Sequence, residues 1–82
     1  MSNPCKVYTF FGEPSLEKLQ EAVGGYIEEV RCPDGRLMYV NEDGRMKQLP
    51  VNEMASDIAG RMILGDVAFV KDLKGGNDES SN

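Results

Sequence analysis

The stretch AVGGYIEEVRCPDGRLMYVNEDGRMKQLPVN, residues 22–52, contains the end of one helix followed by three short runs typical of strands. The runs are residues 26–32, 37–40 and 46–49, and they are separated by the turn sequences PDGR (33–36) and EDGR (42–45). Asp-Gly pairs between strand-like runs are typical of β-hairpins. The stretch therefore predicts three strands that form an antiparallel meander.

A strand and a helix are predicted before this meander. Cys5–Phe11 is rich in β-branched and aromatic residues, which favour a strand. Leu16, Leu19 and Val23 then recur at helical spacing, and Gly24 follows them as a left-handed C-cap. We therefore expect a helix over residues 15–23.

A second helix and a last strand are predicted after the meander. Asn52 is placed to cap a helix over residues 53–60, whose inner stripe is Met54, Ala55 and Ile58. A break at Gly65 separates this helix from a strand over residues 66–70.

The resulting order is β-α-β-β-β-α-β, which indicates an α+β two-layer sandwich with a mainly antiparallel sheet and helices on one face. The first helix makes a crossover that can place the first and second strands side by side in parallel. We expect one domain over residues 1–73 and a disordered polar tail over residues 74–82.

One face of such a sheet is left without helices. The chain has several aromatic residues and five methionines, which is many for so small a core. Tyr and Met are residues that interfaces favour, and an exposed apolar sheet face is a site of association. Core filling is the usual role of such residues, but an exposed face of this kind predicts self-association or a partner. Our leading expectation is a homodimer formed through the sheet.

The composition disfavours several classes of function. Net charge is −5, with 14 acidic and 9 basic residues, so the chain lacks the clustered cations that nucleic-acid binding requires. Residues 1–6 do not resemble a signal peptide, and no apolar run approaches the roughly 20 residues of a membrane span. We expect a soluble protein of the cytoplasm, with no membrane or nucleic-acid partner.

Catalytic and metal-binding patterns are not evident in the sequence. The chain has no His, and its two cysteines, Cys5 and Cys32, lie too far apart for a zinc site. Gly24-Gly25 follows a helix instead of preceding one, so it does not form a phosphate loop. No cofactor motif is found. We therefore expect a protein that is not an enzyme and has no metal or cofactor.

Five residues remain as candidates for binding. Tyr26 and Glu28 share one face of a strand on which neither face is fully apolar, and Arg45 lies in the second turn. Asn41 ends a strand and Asn52 precedes a helix. The usual role of such an Asn is local, a hydrogen bond within a turn or a helix cap. The alternative role is contact with a ligand.

Four motifs in the chain resemble a known family. They are GGYIE (24–28), NEDG (41–44), LPVN (49–52) and ILGD (63–66), and together they span most of residues 16–70. In this order they resemble a family of small proteins of unknown function encoded mainly by bacteriophages and mobile elements. The resemblance implies an accessory protein that acts in the cytoplasm of an infected bacterium, and it implies no catalytic residue. Members of the family often continue further after the ILGD-like strand.

Two functions are consistent with these observations. The first is a dimeric binding protein that engages a host or phage protein, as a host-takeover or anti-defence factor. The alternative is an oligomeric sponge that holds a nucleotide signal between subunits, with Tyr26, Asn41, Arg45 and Asn52 supplying stacking, hydrogen bonds and a phosphate contact. A hydrolase with carboxylate-held magnesium and a DNA mimic are less consistent, because no acidic spacing supports either.

Overall fold

The computed structural model describes residues 4–71, which form four strands and two helices. In chain order the elements are β1 (Val7–Phe11), α1 (Leu16–Val23), β2 (Ile27–Arg31), β3 (Leu37–Asn41), α2 (Glu53–Ala59) and β4 (Val67–Lys71). The strands form a single sheet in the order β1-β4-β3-β2. This architecture confirms the predicted α+β class.

The sheet is mixed but mainly antiparallel, as predicted. β2 pairs with β3 and β3 pairs with β4 in antiparallel fashion, whereas β1 pairs with β4 in parallel. The crossover through α1 carries the chain from one edge of the sheet to the other. The expectation that the first and second strands are neighbours is therefore wrong, because β4 and β3 lie between them.

The predicted strand over residues 46–49 is not formed. The Asp43 carbonyl accepts a hydrogen bond from the Lys47 amide at 2.8 Å, and the Gly44 carbonyl accepts one from the Leu49 amide at 3.0 Å. Residues 42–48 thus coil as successive turns. A strand here would have to pair with β3, and both sides of β3 are already occupied by β2 and β4.

The helix ends agree with the capping signals in the sequence. The Ser15 hydroxyl accepts a hydrogen bond from the Lys18 amide, and the Asn52 side chain accepts one from the Ala55 amide. Gly24 and Gly60 are the left-handed C-caps. These contacts confirm both predicted helix starts and both ends to within one residue.

The predicted inner stripe of α2 is corrected at one position. Ala55 is buried and Ile58 packs against the core, but Met54 is 54% exposed. Ala59 takes the place expected for Met54, since it lies four residues after Ala55 on the same side of the helix.

The two helices lie against opposite faces of the sheet. Ala55 and Ala59 of α2 belong to one buried cluster with Val30, Met38 and Phe69. Alternation along β3 turns Asn41 to the other face, and its side chain bonds the last residue of α1. The prediction of helices on one face is therefore wrong, and each face of the sheet carries a helix.

Residues 1–3 and 72–73 of the predicted domain and the whole predicted tail, residues 74–82, lie outside the described residues. Between residues 4 and 71, neither helix is long and apolar enough to cross a membrane.

Candidate functional site

A depression at the β2 side of the sheet contains three of the five predicted binding residues. It has a volume of about 160 Å³ and lies between β2, the turn after β3 and the segment that follows α2. Its lining consists of Glu28, Val30, Val40, Asn41, Glu42, Gly44, Arg45, Arg61, Met62, Ile63 and Leu64. We refer to it as the β2-side depression.

Tyr26, the fourth predicted residue, lies beside this depression. Its carbonyl accepts a hydrogen bond of 2.8 Å from the amide of Glu42, which lines the depression. The Tyr26 side chain is 68% exposed. The structure therefore brings Tyr26, Glu28, Asn41 and Arg45 into one region of the surface.

Charges of both signs surround the β2-side depression. Glu28 and Glu42 supply carboxylates, and Arg45 and Arg61 supply guanidinium groups; all four residues are exposed. Among residues 4–71, none of these four is within ion-pair distance of another charged group. The side chains are thus available to form ion pairs or hydrogen bonds with a bound molecule.

Asn41 is held by contacts inside the chain. Its amide nitrogen donates to the Val23 carbonyl at 3.0 Å, and its side-chain oxygen accepts from the Asp43 amide at 2.7 Å. The residue is 5% exposed. These bonds join the end of α1 to the end of β3, so the described contacts of the Asn41 side chain hold the fold together. Ligand contact by Asn41 stays a prediction.

Asn52 lies away from the β2-side depression. It is fully buried, where it caps α2 and donates to the carbonyls of Gly65 at 2.9 Å and Lys6 at 3.2 Å. Its amide therefore joins α2 to the starts of β1 and β4. The structure gives this side chain an architectural role, and its role in binding also stays a prediction.

A second cavity, of about 330 Å³, opens near the C-terminal end of α1. Tyr8, Glu21, Lys47 and Asp66 are its most polar lining residues. The Lys47 ammonium group donates to the Gly24 carbonyl at 3.4 Å, which places a cation at the negative end of the helix. Stabilisation of the end of α1 therefore accounts for the position of Lys47.

Both cysteines, Cys5 and Cys32, are buried thiols. Burial raises the pKa of the Cys5 thiol, and the neighbouring Asp66 carboxylate raises it further. Burial likewise raises the pKa of Cys32, together with the Asp34 carboxylate. Thiols of this kind are poor nucleophiles at neutral pH. Within the part of the chain that the structure describes, no group of three or more His, Cys, Asp or Glu residues is arranged to hold a metal ion.

Sequence reasoning did not single out Arg61 or Met62 as candidates for binding. Both line the β2-side depression, and Met62 is 63% exposed. No local signal in the sequence points to them, because their place at the depression depends on how the segment after Gly60 packs beside β2.

Comparison with known families identifies the chain at one level. Residues 3–82 match the family described as "Domain of unknown function (DUF3846)", and the chain therefore belongs to this family. Searches among curated proteins and among solved structures found no match.

Proposed function

We propose that this member of the DUF3846 family is a non-enzymatic accessory protein that binds another protein at the β2-side depression. The observation that carries the proposal is the set of exposed residues around one small hollow. Tyr26, Met46 and Met62 are 68%, 83% and 63% exposed, and they alternate along the chain with the cations Arg45 and Arg61.

The residue types favour a protein partner. Tyr, Met and Arg are enriched in protein interfaces, and methionine side chains adapt to the shape of what they contact. Exposed methionines contribute little to the stability of an isolated chain, because their side chains remain in water. Met46 and Met62 each directly follow an arginine that lines the depression, and contact with a second molecule accounts for their exposure better than a role in stability does.

The size of the depression points the same way. Sites for small molecules usually have volumes of roughly 300–1,000 Å³, and this depression has about 160 Å³. That volume is enough for one or two side chains of a partner. Tyr26 and Met46 would extend the contact beyond the hollow, and Glu28 and Arg61 would select the partner by charge.

The four sequence motifs and the family that they resemble suggest what kind of protein the partner is. Motifs similar to those of phage-encoded proteins favour a partner from the phage or from its bacterial host, and a role in host takeover or in counteracting host defence. Such a protein acts in the bacterial cytoplasm.

Capture experiments with matched surface variants test this function. A tagged protein is used to capture partners from a lysate of the host bacterium, in parallel with the double variant Arg61→Glu/Met62→Asp and the control Lys18→Glu. Lys18 is exposed on α1, away from the depression, so its reversal tests for non-specific charge effects. We expect one stoichiometric protein with the wild type and the control, and none with the double variant. Equal capture by all three, or no stoichiometric partner at all, would refute the proposal.

A nucleotide sponge is the alternative function. The observation that favours it is that Arg45 and Arg61 line the same depression, with the exposed ring of Tyr26 nearby. Two guanidinium groups can hold a phosphate and a Tyr ring can stack on a base. Because the hollow is small, a nucleotide would need a second subunit to complete its site.

Thermal-shift measurements against linear and cyclic nucleotides separate the two functions. A sponge predicts stabilisation by one compound and loss of that stabilisation in Arg61→Ala. A flat response across the panel removes the sponge and leaves the protein-binding proposal untouched.

A further inference from the structure

The two edge strands of the sheet differ in their charge. β2, with the sequence IEEVR, carries three charged residues, whereas β1, with the sequence VYTFF, carries none. Soluble proteins usually place charges on an edge strand because an exposed, uncharged edge pairs with other strands. β2 follows this rule and β1 does not, so β1 has the composition of a strand that is covered in the working protein.

The hydrogen bonds between β1 and β4 show which groups of β1 point outward. The Val67 amide donates to the Lys6 carbonyl at 3.1 Å, and the Gly12 amide donates to the Lys71 carbonyl at 2.9 Å. Because bonding alternates along a parallel ladder, the backbone N–H and C=O groups of the even-numbered residues of β1 point towards β4. The backbone groups of Val7, Thr9 and Phe11 point away from the sheet. Within residues 4–71, no strand pairs with this outer edge.

We propose that β1 pairs in antiparallel fashion with β1 of a second copy of this chain, with Thr9 on the two-fold axis. In this register Thr9 exchanges backbone hydrogen bonds with Thr9 of the second copy, and Val7 exchanges them with Phe11. All the outward backbone groups of β1 then have partners, and the two four-stranded sheets form one continuous sheet.

The same register makes the side chains complementary. Tyr8 of each copy lies opposite Phe10 of the other, which joins two aromatic pairs whose rings are already stacked at 6.4 Å within each chain. On the other face Phe11, which is 62% exposed, lies opposite Val7, which packs against the buried core. The pairing thus covers the exposed aromatic ring with the edge of the second copy's core.

Charges at the ends of β1 select the antiparallel orientation. Lys6 precedes the strand and Glu13 follows it closely, and both are exposed. Antiparallel pairing brings Lys6 of each copy towards Glu13 of the other, whereas parallel pairing would place like charges together at both ends. This arrangement identifies a second copy as the occupant.

This interface is independent of the partner-binding function proposed above, because it uses β1 and not the β2 side of the sheet. It also replaces the interface that the sequence suggested, which was an uncovered sheet face. Dimerisation through β1 leaves both β2-side depressions exposed at the far ends of the continuous sheet.

Variants that place a charge of either sign at position 9 test the proposal. The residue is exposed and its amide faces outward, so Thr9→Lys and Thr9→Glu leave the fold intact, as far-UV circular dichroism would verify. Sedimentation equilibrium of the wild type should give twice the 9.1 kDa mass of the chain. Each variant alone should dimerise about fivefold more weakly, because like charges directly opposite one another repel. An equimolar mixture of the two should recover the dimer, and Glu29→Lys on the other edge should have no effect.

The mixture is the decisive measurement. Recovery of the dimer in the mixture, and not in either variant alone, requires that residue 9 face residue 9 and so supports the register. A monomeric wild type would overturn the proposal and leave the edge to a strand from a different protein. A dimer that resists both Thr9 variants, or one that Glu29→Lys disrupts, would place the interface elsewhere.

Discussion

Replacement of Asn52 by Ala is predicted to be among the most destabilising single changes in the molecule. Asn52 is fully buried and its side chain bonds three separate segments: the start of α2, the turn before β4 and the residue that precedes β1. An alanine leaves the helix start without its cap and removes the amide donor from two carbonyls.

The magnitude follows from these contacts. Loss of an N-cap costs about 1 kcal/mol. The Lys6 carbonyl keeps a second donor, the Val67 amide at 3.1 Å, so its loss adds little. The carbonyl of buried Gly65 loses the donor at 2.9 Å, and leaving such a group without a partner costs about 1–3 kcal/mol. Together these losses predict a decrease of about 2–4 kcal/mol in the free energy of unfolding.

Urea unfolding followed by far-UV circular dichroism measures this decrease, with all variants at one low protein concentration so that association does not contribute. Ser15→Ala is the matched control, because Ser15 caps α1 through the same kind of bond but is exposed. Asn52→Ser is the second variant; its hydroxyl can accept the capping bond but cannot reach the distant carbonyls. We expect Asn52→Ala to cost more than Asn52→Ser, and both to cost more than Ser15→Ala. If Asn52→Ala costs no more than Ser15→Ala, the interior bonds do not stabilise the fold and the reasoning fails.

Two other predictions concern the packing near this residue and the thiols. Gly65→Ala should destabilise the protein by about 1 kcal/mol more than Gly35→Ala, as measured by urea unfolding. Both glycines have positive φ, but a Cβ at Gly65 would lie 2.7 Å from Leu49 Cδ1, whereas one at Gly35 meets nothing within 4 Å; equal costs would contradict this. Cys5 and Cys32 should react with a colorimetric disulfide reagent at pH 8 much more slowly in the native protein than in urea. The reason is that burial shields both thiols and raises the pKa of each. Rapid labelling of the native protein would contradict their burial.

Local signals in the sequence were sufficient to place most elements. Capping residues defined both helix starts because a cap acts within three residues, as Ser15 does with Lys18 and Asn52 with Ala55. The first Asp-Gly turn was also predicted correctly; there the Cys32 amide bonds the Arg36 carbonyl at 2.8 Å and closes the hairpin.

The second Asp-Gly turn was predicted wrongly for a reason that lies far away in the chain. Its sequence, EDGR, is nearly the same as that of the first turn. A hairpin at this point requires a free side of β3, and β4, more than twenty residues later, occupies that side. Local propensity contains no information about this competition, so the extra strand could not be excluded from the sequence.

The placement of the helices could not be predicted for a similar reason. The strand order determines which face each connection crosses, and that order depends on the parallel pairing of β1 with β4. Of the residues that line the candidate site, the sequence singled out Glu28 and Arg45 from strand alternation and turn position, and Asn41 from its place at the end of a strand. It did not identify Arg61, which becomes a neighbour of Glu28 only through the tertiary fold.

The four motifs that carried the family resemblance contact one another at one end of the sheet. The first meets the second where the Tyr26 carbonyl accepts the Glu42 amide and where a Cβ on Gly25 would lie 2.9 Å from the Asn41 side chain. The third meets the fourth through the bond from Asn52 to the Gly65 carbonyl.

Most of these positions are buried or turn residues whose contacts hold the sheet to its helices. A pattern made of such residues identifies a fold and leaves the ligand undetermined, because the same contacts are needed whatever is bound. Residues that choose a partner must instead lie on the surface that this framework supports. In this chain Arg45, Arg61 and Met62 have that position. Reversing charge at Arg61 should therefore abolish partner binding with little change in stability, whereas Asn52→Ala should lower the free energy of unfolding and leave the residues of the depression in place.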